Sequence, residues 1–260
     1  MDRRAFLAAV SIFPLAGCAS RTEGTLLEAL KAARFRLLGE VHDNPEHHAI
    51  RARLLDALGR AGLKPAVAFE QFDSEHDPAL RDLLLSGKAT PESVAGAVRF
   101  DRKGWNWEFY RPIVEVALEH GMPLRAANLS RTEARQIARE SRPVDGRWSA
   151  SLEAQLREYI FEGHCRALPE SAMPGMVLAQ RARDLTMAQA LLKPSRDGAV
   201  LIAGNSHVRK DFGVPLHLPA VGVVSVGFLE SQPETPAPYD FVRVTAAAQR
   251  PDPCETFRRK

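Results

Sequence analysis

Apolar residues along this chain fall into two rhythms. Short continuous runs occupy residues 35–41, 66–70, 123–128, 199–204, 221–229 and 239–244, most of them closed by Gly, Glu, Asn or His. Such runs, bounded by turn residues, predict buried strands. Between them the apolar positions take helical spacing. Asn44-Pro45 opens one helix that buries Ile50, Leu54, Leu55 and Leu58, since Asn is a good N-cap and Pro suits the first turn. Further helices are predicted over residues 26–33, over 77–86 with Leu80, Leu83 and Leu84 inward, around 91–98, and over 112–120. From 132 to 192 the pattern is almost wholly helical: one helix over 151–162, a break at Gly163-His164-Cys165, a loop over 169–174, and a longer helix over 176–192 with Met176, Gln180, Asp184 and Met187 along one side.

Strand, helix, strand in this order is the parallel crossover unit. The predicted fold class is therefore α/β: a mainly parallel central sheet flanked by helices, in a single domain over 35–260 that follows an 18–34 tether and short helix. The block over about 132–192 is too long for one crossover, so it is expected as an inserted helical subdomain protruding from the sheet over its edge.

The strand ends carry the chemistry. Gly39-Glu40-Val41-His42 delivers a carboxylate and an imidazole two residues apart, which an extended chain points to one side. Glu70 closes the second strand, Asn128 the third, and Gly204-Asn205-Ser206-His207 follows the fourth. In open parallel sheets, ligands sit beyond the carboxyl ends of the strands. Glu40, His42, Glu70 and His207 are the candidate catalytic set. Two imidazoles with two carboxylates suit either an acid/base pair that activates water or a divalent metal, for which His42, His207 and Glu40 are the candidate ligands. His47 and His48 fall in the first turn of the following helix, near the same place. The spacing matches neither a helical zinc protease nor a Cys-rich zinc site, and there is no Gly-x-Ser-x-Gly elbow. The aromatic stretch from Trp105 to Tyr110 reads as core before cofactor pocket.

Composition adds limits. With 260 residues, 45% hydrophobic and 26% charged, the chain can bury one sizeable core; a net charge of +3, not gathered into a strip, gives no reason to expect nucleic acid. The beginning of the chain changes the picture more. Arg3-Arg4 precedes a short apolar segment, then Leu15-Ala16-Gly17-Cys18 and a polar stretch. This reads as an export signal over residues 1–17. Leu15-Ala16-Gly17-Cys18 resembles the bacterial lipoprotein box, which implies cleavage before Cys18 and lipidation of that residue; Arg3-Arg4-Ala5-Phe6-Leu7 resembles the twin-arginine export consensus. The expected location is a bacterial membrane, the outer one, with the protein facing the periplasm. Cys165 and Cys254 then remain in an oxidising space. A disulfide, two free thiols and a Cys165 used at a cofactor are all open.

Gly39-Glu40-Val41-His42, the Glu70 strand end, residues 107–110, Gly163-His164-Cys165, the 180–187 helix and Gly204-Asn205-Ser206-His207 together resemble the ChaN-like haem-binding lipoproteins, which share a superfamily with the Tiki, TraB and erythromycin esterase-like proteins. The resemblance spans roughly residues 35–226. It implies a lipoprotein of haem-iron acquisition that holds haem between two subunits through histidine and tyrosine, with a haem-uptake receptor or periplasmic haem carrier as further partner. The ligand candidates are His164, then Tyr159, with Tyr110, His47 and His48 as rivals; Arg157 and Arg166 lie near the first two. Relatives in the superfamily use the Glu/His strand ends for hydrolysis. The alternative function is therefore a metal- or acid/base-dependent periplasmic hydrolase.

Overall fold

The computed structural model of the chain describes residues 17–141, 144, 148–233, 237–252 and 254–255, with side chains from residue 24 onward. Residues 1–16 of the expected export signal and the Cys18 side chain lie outside these residues.

The strands are β1 (Phe35–Leu38), β2 (Ala66–Asp73), β3 (Leu124–Asn128), β4 (Ala199–Ile202), β5 (Val223–Leu229) and β6 (Phe241–Val244). They form one sheet in the order β3-β2-β4-β1-β5-β6, and every pairing among the described residues is parallel. After β1 the chain steps outward to β2 and β3, returns to place β4 between β2 and β1, and then builds β5 and β6 on the other side. This reversal brings the ends of β2, β4 and β1 side by side, where a parallel sheet presents its ligand crevice.

The helices are α1 (Gly17–Ala32), α2 (Pro45–Arg60), α3 (Asp77–Leu85), α4 (Pro91–Ala97), α5 (Trp107–Glu119), α6 (Arg131–Glu140), α7 (Ala150–Gly163) and α8 (Met173–Leu192). Strand residues alternate between two helical layers, as the period of a strand requires. Leu38, Val67, Phe69, Val200 and Ile202 face the core shared with α1 to α5; Phe35, Leu37, Ala66, Ala68 and Leu201 face Met187, Ala188 and Leu191 of α8. Because both faces are covered, the strands are apolar throughout rather than alternating. A smaller cluster of Leu156, Ile160, Met173, Val177 and Phe212 fastens α7 to α8.

Two expectations are corrected. The third strand's preceding helix begins at Trp107, not at Pro112: Asn106 accepts the Glu108 N–H, so the helix starts at that cap and carries Pro112 inside. The block over 132–192 is not a single protrusion. α8 lies flat on the sheet as the crossover helix between β3 and β4, because its apolar stripe matches the sheet face, and α6 and α7 pack against α8. Among the described residues no helix is long and apolar enough to cross a membrane. The open question about cysteine resolves: Cys165 and Cys254 form a disulfide, with Cα atoms 5.6 Å apart, which ties the C-terminal tail to the end of α7.

Candidate functional site at the carboxyl edge of the sheet

The four predicted strand-end residues come together. Glu40 is buried and fully engaged. Its Oε1 accepts the Tyr110 hydroxyl at 2.6 Å and the His42 Nδ1–H at 2.6 Å, Gln71 Nε2 lies 3.4 Å away, and the other oxygen pairs with the buried Arg51 guanidinium. Burial alone would raise this carboxyl, but Arg51 and His42 outweigh it and hold it well below the carboxylate range. The bond to Glu40 sets the tautomer of the neutral His42 ring, with its lone pair on Nε2. The His42 side chain is 47% exposed, and Trp105 meets its ring edge-on at 4.8 Å. Burial pulls the His42 pKa down while Glu40 and Glu70 pull harder upward, with a raised value as the result.

A second dyad faces the first. Asp184 Oδ1 lies 2.5 Å from His207 Nδ1, and Glu70 Oε1 lies 3.3 Å from His207 Nε2. Burial opposes a charge on His207, but the two carboxylates raise its pKa to about 10, so the ring is a cation at neutral pH. Glu70 accepts the Gly204 N–H at 2.7 Å, and His207 and His42 carry its pKa down to about 2 against burial. Burial pushes Asp184 up to about 6.

Backbone proximity at this edge requires glycine at two positions. A Cβ on Gly39 would stand 2.2 Å from Asn205 Oδ1, and one on Gly204 would stand 2.8 Å from His42 Cε1. Each glycine lets neighbouring strand ends approach closely enough for the two dyads to meet.

His47, His48 and Tyr110 join this buried network and not Tyr159 and His164. His47 Nδ1 accepts the Val41 N–H at 3.0 Å, and its Nε2–H donates to Thr245 Oγ1 at 2.8 Å. His48 donates to the His42 carbonyl at 2.9 Å, receives Arg51 at Nδ1 and stacks on Phe109; burial and then Arg51 lower its pKa to about 4, so it is neutral. The sequence reading did not place Arg51 at the site, and it named Asp184 only as part of a helix face. Arg51 sits one helical turn after His48, and Asp184 one turn after Gln180, which also reaches His207 at 3.2 Å. The readable signal was a polar pair recurring on the otherwise apolar side of α8.

The donor set does not fit a divalent metal. Glu40 is spent on Arg51, Tyr110 and His42, and both nitrogens of His207 face carboxylates. Among the described residues no group of three or more His, Cys, Asp and Glu side chains is arranged to hold a metal ion. A cavity of about 690 Å³ opens beside this edge, lined by Glu70, Gln71, Asp73, Trp105, Asn128 and Arg183 among others.

Tyr159 and His164 lie elsewhere, on α7 and at its C-cap. Tyr159 is 38% exposed. Arg209 lies over its ring at 5.1 Å. His164 Nδ1 lies 2.7 Å from the Ile160 carbonyl, which can only accept, so Nδ1 carries the proton and the lone pair is on Nε2, the form that ligates iron. A phenol on a partly exposed ring, a nearby cation and an imidazole whose neutral form has its lone pair on Nε2 are donors of the kind that haem iron takes. Tyr159 and His164 are five residues apart, so they do not share a helix face. Arg157 is paired with Glu170, and Arg166 with Glu158 and Glu162.

A six-stranded parallel sheet covered by helices on both faces, with Glu and His side chains gathered at its carboxyl edge, defines the class: an open-sheet α/β protein. Residues 26–218 match the family model described as haem-binding uptake, Tiki superfamily, ChaN, and the chain belongs to that family. Among solved structures, ChaN of Campylobacter jejuni, described with cofacial haem binding, superposes with a TM-score of 0.74 at 26% identity, covering 84% of this chain and 90% of that one. The type III effector HopBA1 superposes with a TM-score of 0.50 at 10% identity, over 86% of this chain and 93% of that one, a likeness of fold alone. No curated protein matches the chain.

Proposed function

We propose that this protein is a lipid-anchored haem-binding protein of bacterial haem and iron uptake, working as a homodimer in the periplasm. The carrying observation is membership of the haem-binding ChaN family over residues 26–218, a span that includes α7. Tyr159 and His164 would hold the haem. Haem supplies the iron that these side chains ligate; the chain's own part is to present a phenol and an imidazole at its surface. Their different faces on α7 support ligation from two copies of the chain, one offering Tyr159 and the other His164. Lipidation at Cys18 and export rest on the sequence of the first residues, and the Cys165–Cys254 disulfide agrees with an oxidising compartment. A haem-uptake receptor or a periplasmic haem carrier would deliver or receive the ligand.

The test is a haemin titration of the chain from Arg21 onward, followed by Soret absorbance and sedimentation. Saturable Soret growth with a shift to dimer, weakened by Tyr159→Phe and His164→Ala, supports the reading. A featureless titration sinks it.

A second reading is acid/base hydrolysis at the strand ends. It is favoured by the Glu40–His42 dyad, whose half-exposed imidazole has its tautomer set by a buried carboxylate, beside a polar cavity. In this reading His42 takes a proton from water at Nε2 and Glu40 orients the ring. Turnover of ester or amide substrates that disappears in both His42→Ala and Glu40→Gln supports it; turnover that survives both removes it.

A further inference from the structure

A second cavity, of about 650 Å³, opens at the amino end of β3, away from the carboxyl edge of the sheet. β3 is an edge strand, and α3 crosses its open side: Asp77, in the first turn of α3, accepts the Ala126 N–H at 3.0 Å. The cavity lies between α3, the turn after α5, the start of β3 and the end of α8. Its walls are aliphatic. Leu84, Ala89 and Leu118 are partly buried against the main core, Met122 and Leu124 belong to that core, and Leu85 is 78% exposed. Among the described residues that line it there is no hydroxyl, amide, imidazole or aromatic side chain. The polar groups are three cations, Arg81, Arg125 and Lys193, against one carboxylate, Asp77, a net charge of +2.

The three cations differ in what balances them. Lys193 pairs with Asp77 at 2.7 Å. Arg81 is exposed and lies 4.0 Å from the equally exposed Asp82, a pair that solvent screens. Arg125 is only 8% exposed, and its guanidinium donates to main-chain carbonyls, those of Ala190 at 2.8 Å, Lys193 at 3.2 Å and Pro194 at 2.8 Å. No carboxylate among the described residues accepts a hydrogen bond from it; Asp77, already held by Lys193 and Ala126, acts on it only through space. Arginine keeps its charge in proteins, and a buried charge without a paired counter-charge is costly. An anion that enters this cavity relieves that cost.

We propose that the cavity is a binding site for a long-chain fatty acid, its carboxylate held by Arg125 and Arg81 and its hydrocarbon laid along Leu84, Leu118 and Leu124. A guanidinium matches a carboxylate with two parallel hydrogen bonds, and each methylene removed from water adds hydrophobic free energy. A single anionic head on an otherwise featureless chain is what a site with under-balanced cations and aliphatic walls can recognise. The volume falls within the range of small-molecule sites, about 300–1,000 Å³. No residue of α7, and none of Glu40, His42, Glu70 and His207, lines this cavity, so the site is independent of both readings above.

The test is a titration of the purified protein with cis-parinaric acid, a fluorescent polyene fatty acid, below its micelle-forming concentration. Fluorescence should grow to saturation and be reversed by oleate. The methyl ester of the same acid keeps the chain and loses the charge, and should bind about tenfold more weakly. Arg125→Gln should weaken the acid about tenfold and leave the ester as in the wild type, so that the difference between the two ligands disappears. At exposed positions, Arg81→Gln should weaken the acid about threefold, and Leu85→Glu, which sets a carboxylate at the cavity, should weaken the acid more than the ester. Absence of saturable binding overturns the proposal, as does an ester that binds as tightly as the acid. Acid binding unmoved in both Arg81→Gln and Leu85→Glu puts the ligand elsewhere on the chain and overturns it as well. Arg125 also ties down the end of α8, so should Arg125→Gln fail to fold, the two surface variants carry the test.

Discussion

Replacing Arg51 by methionine isolates what the edge network contributes. Arg51 is fully buried and Glu40 is its anion; the substitution keeps the volume apolar and leaves a carboxylate without its cation. Breaking a buried pair by removing one partner costs about 3–5 kcal/mol. Tyr110 and His42 still donate to Glu40, which sets the expectation at the lower end, about 3 kcal/mol. For a chain of this size that corresponds to a fall in Tm of about 6–12 °C. The pH dependence gives the mechanism. In the wild type, Arg51 and His42 hold the Glu40 carboxyl well below its unfolded value, against burial. A depressed carboxyl contributes stability that is present above its unfolded pKa of about 4.3 and is lost as pH falls through the folded pKa. The wild type's advantage over Arg51→Met should therefore be full at neutral pH and shrink on acidification. Urea unfolding of both proteins from about pH 7 down to about pH 2 measures it. The double variant Arg51→Met/Glu40→Gln should recover most of the loss, because a pair removed together leaves no buried charge. A single-variant loss under about 1 kcal/mol, or a deficit independent of pH, would refute the reasoning.

His207 predicts the opposite pH limb: its folded pKa of about 10 lies above its unfolded value, so its contribution is full below about pH 6.5 and is lost as pH climbs toward 10, and a Tm series over that range should fall in the wild type and flatten in His207→Gln. Tyr110→Phe removes a hydroxyl donor from the buried Glu40 carboxylate and should cost about 1.5–3 kcal/mol in denaturant unfolding. Gly204→Ala pushes a methyl to within 2.8 Å of the His42 ring, and should lower stability by about 1–3 kcal/mol, read by thermal unfolding. Cys165→Ser opens a disulfide that spans 89 residues and should cost about 2–4 kcal/mol; reductant should lower the Tm of the wild type and leave that of the variant unchanged.

Much of this molecule was legible before its structure, for a physical reason. A buried parallel strand must be apolar on both faces, so the strands around Leu37, Phe69 and Leu201 announced themselves, as did the residues that end them. Glu40, His42, Glu70 and His207 could be grouped because strand ends in such a sheet share one edge. The helix that starts at Trp107 was hidden by Pro112, a residue that more often opens a helix than sits inside one.

Local sequence determined the strands, the helix caps, the family resemblance and the four residues at the sheet edge, because each follows from periodicity, turn chemistry or a motif within a few residues. Only the tertiary structure decided which charges meet. Arg51 reaches Glu40, Asp184 reaches His207, Arg209 crosses to Tyr159, and Cys165 finds Cys254, all through contacts between elements distant in the chain. Burial and partner set a side chain's charge and use, and neither is a property of the residue's neighbours in sequence.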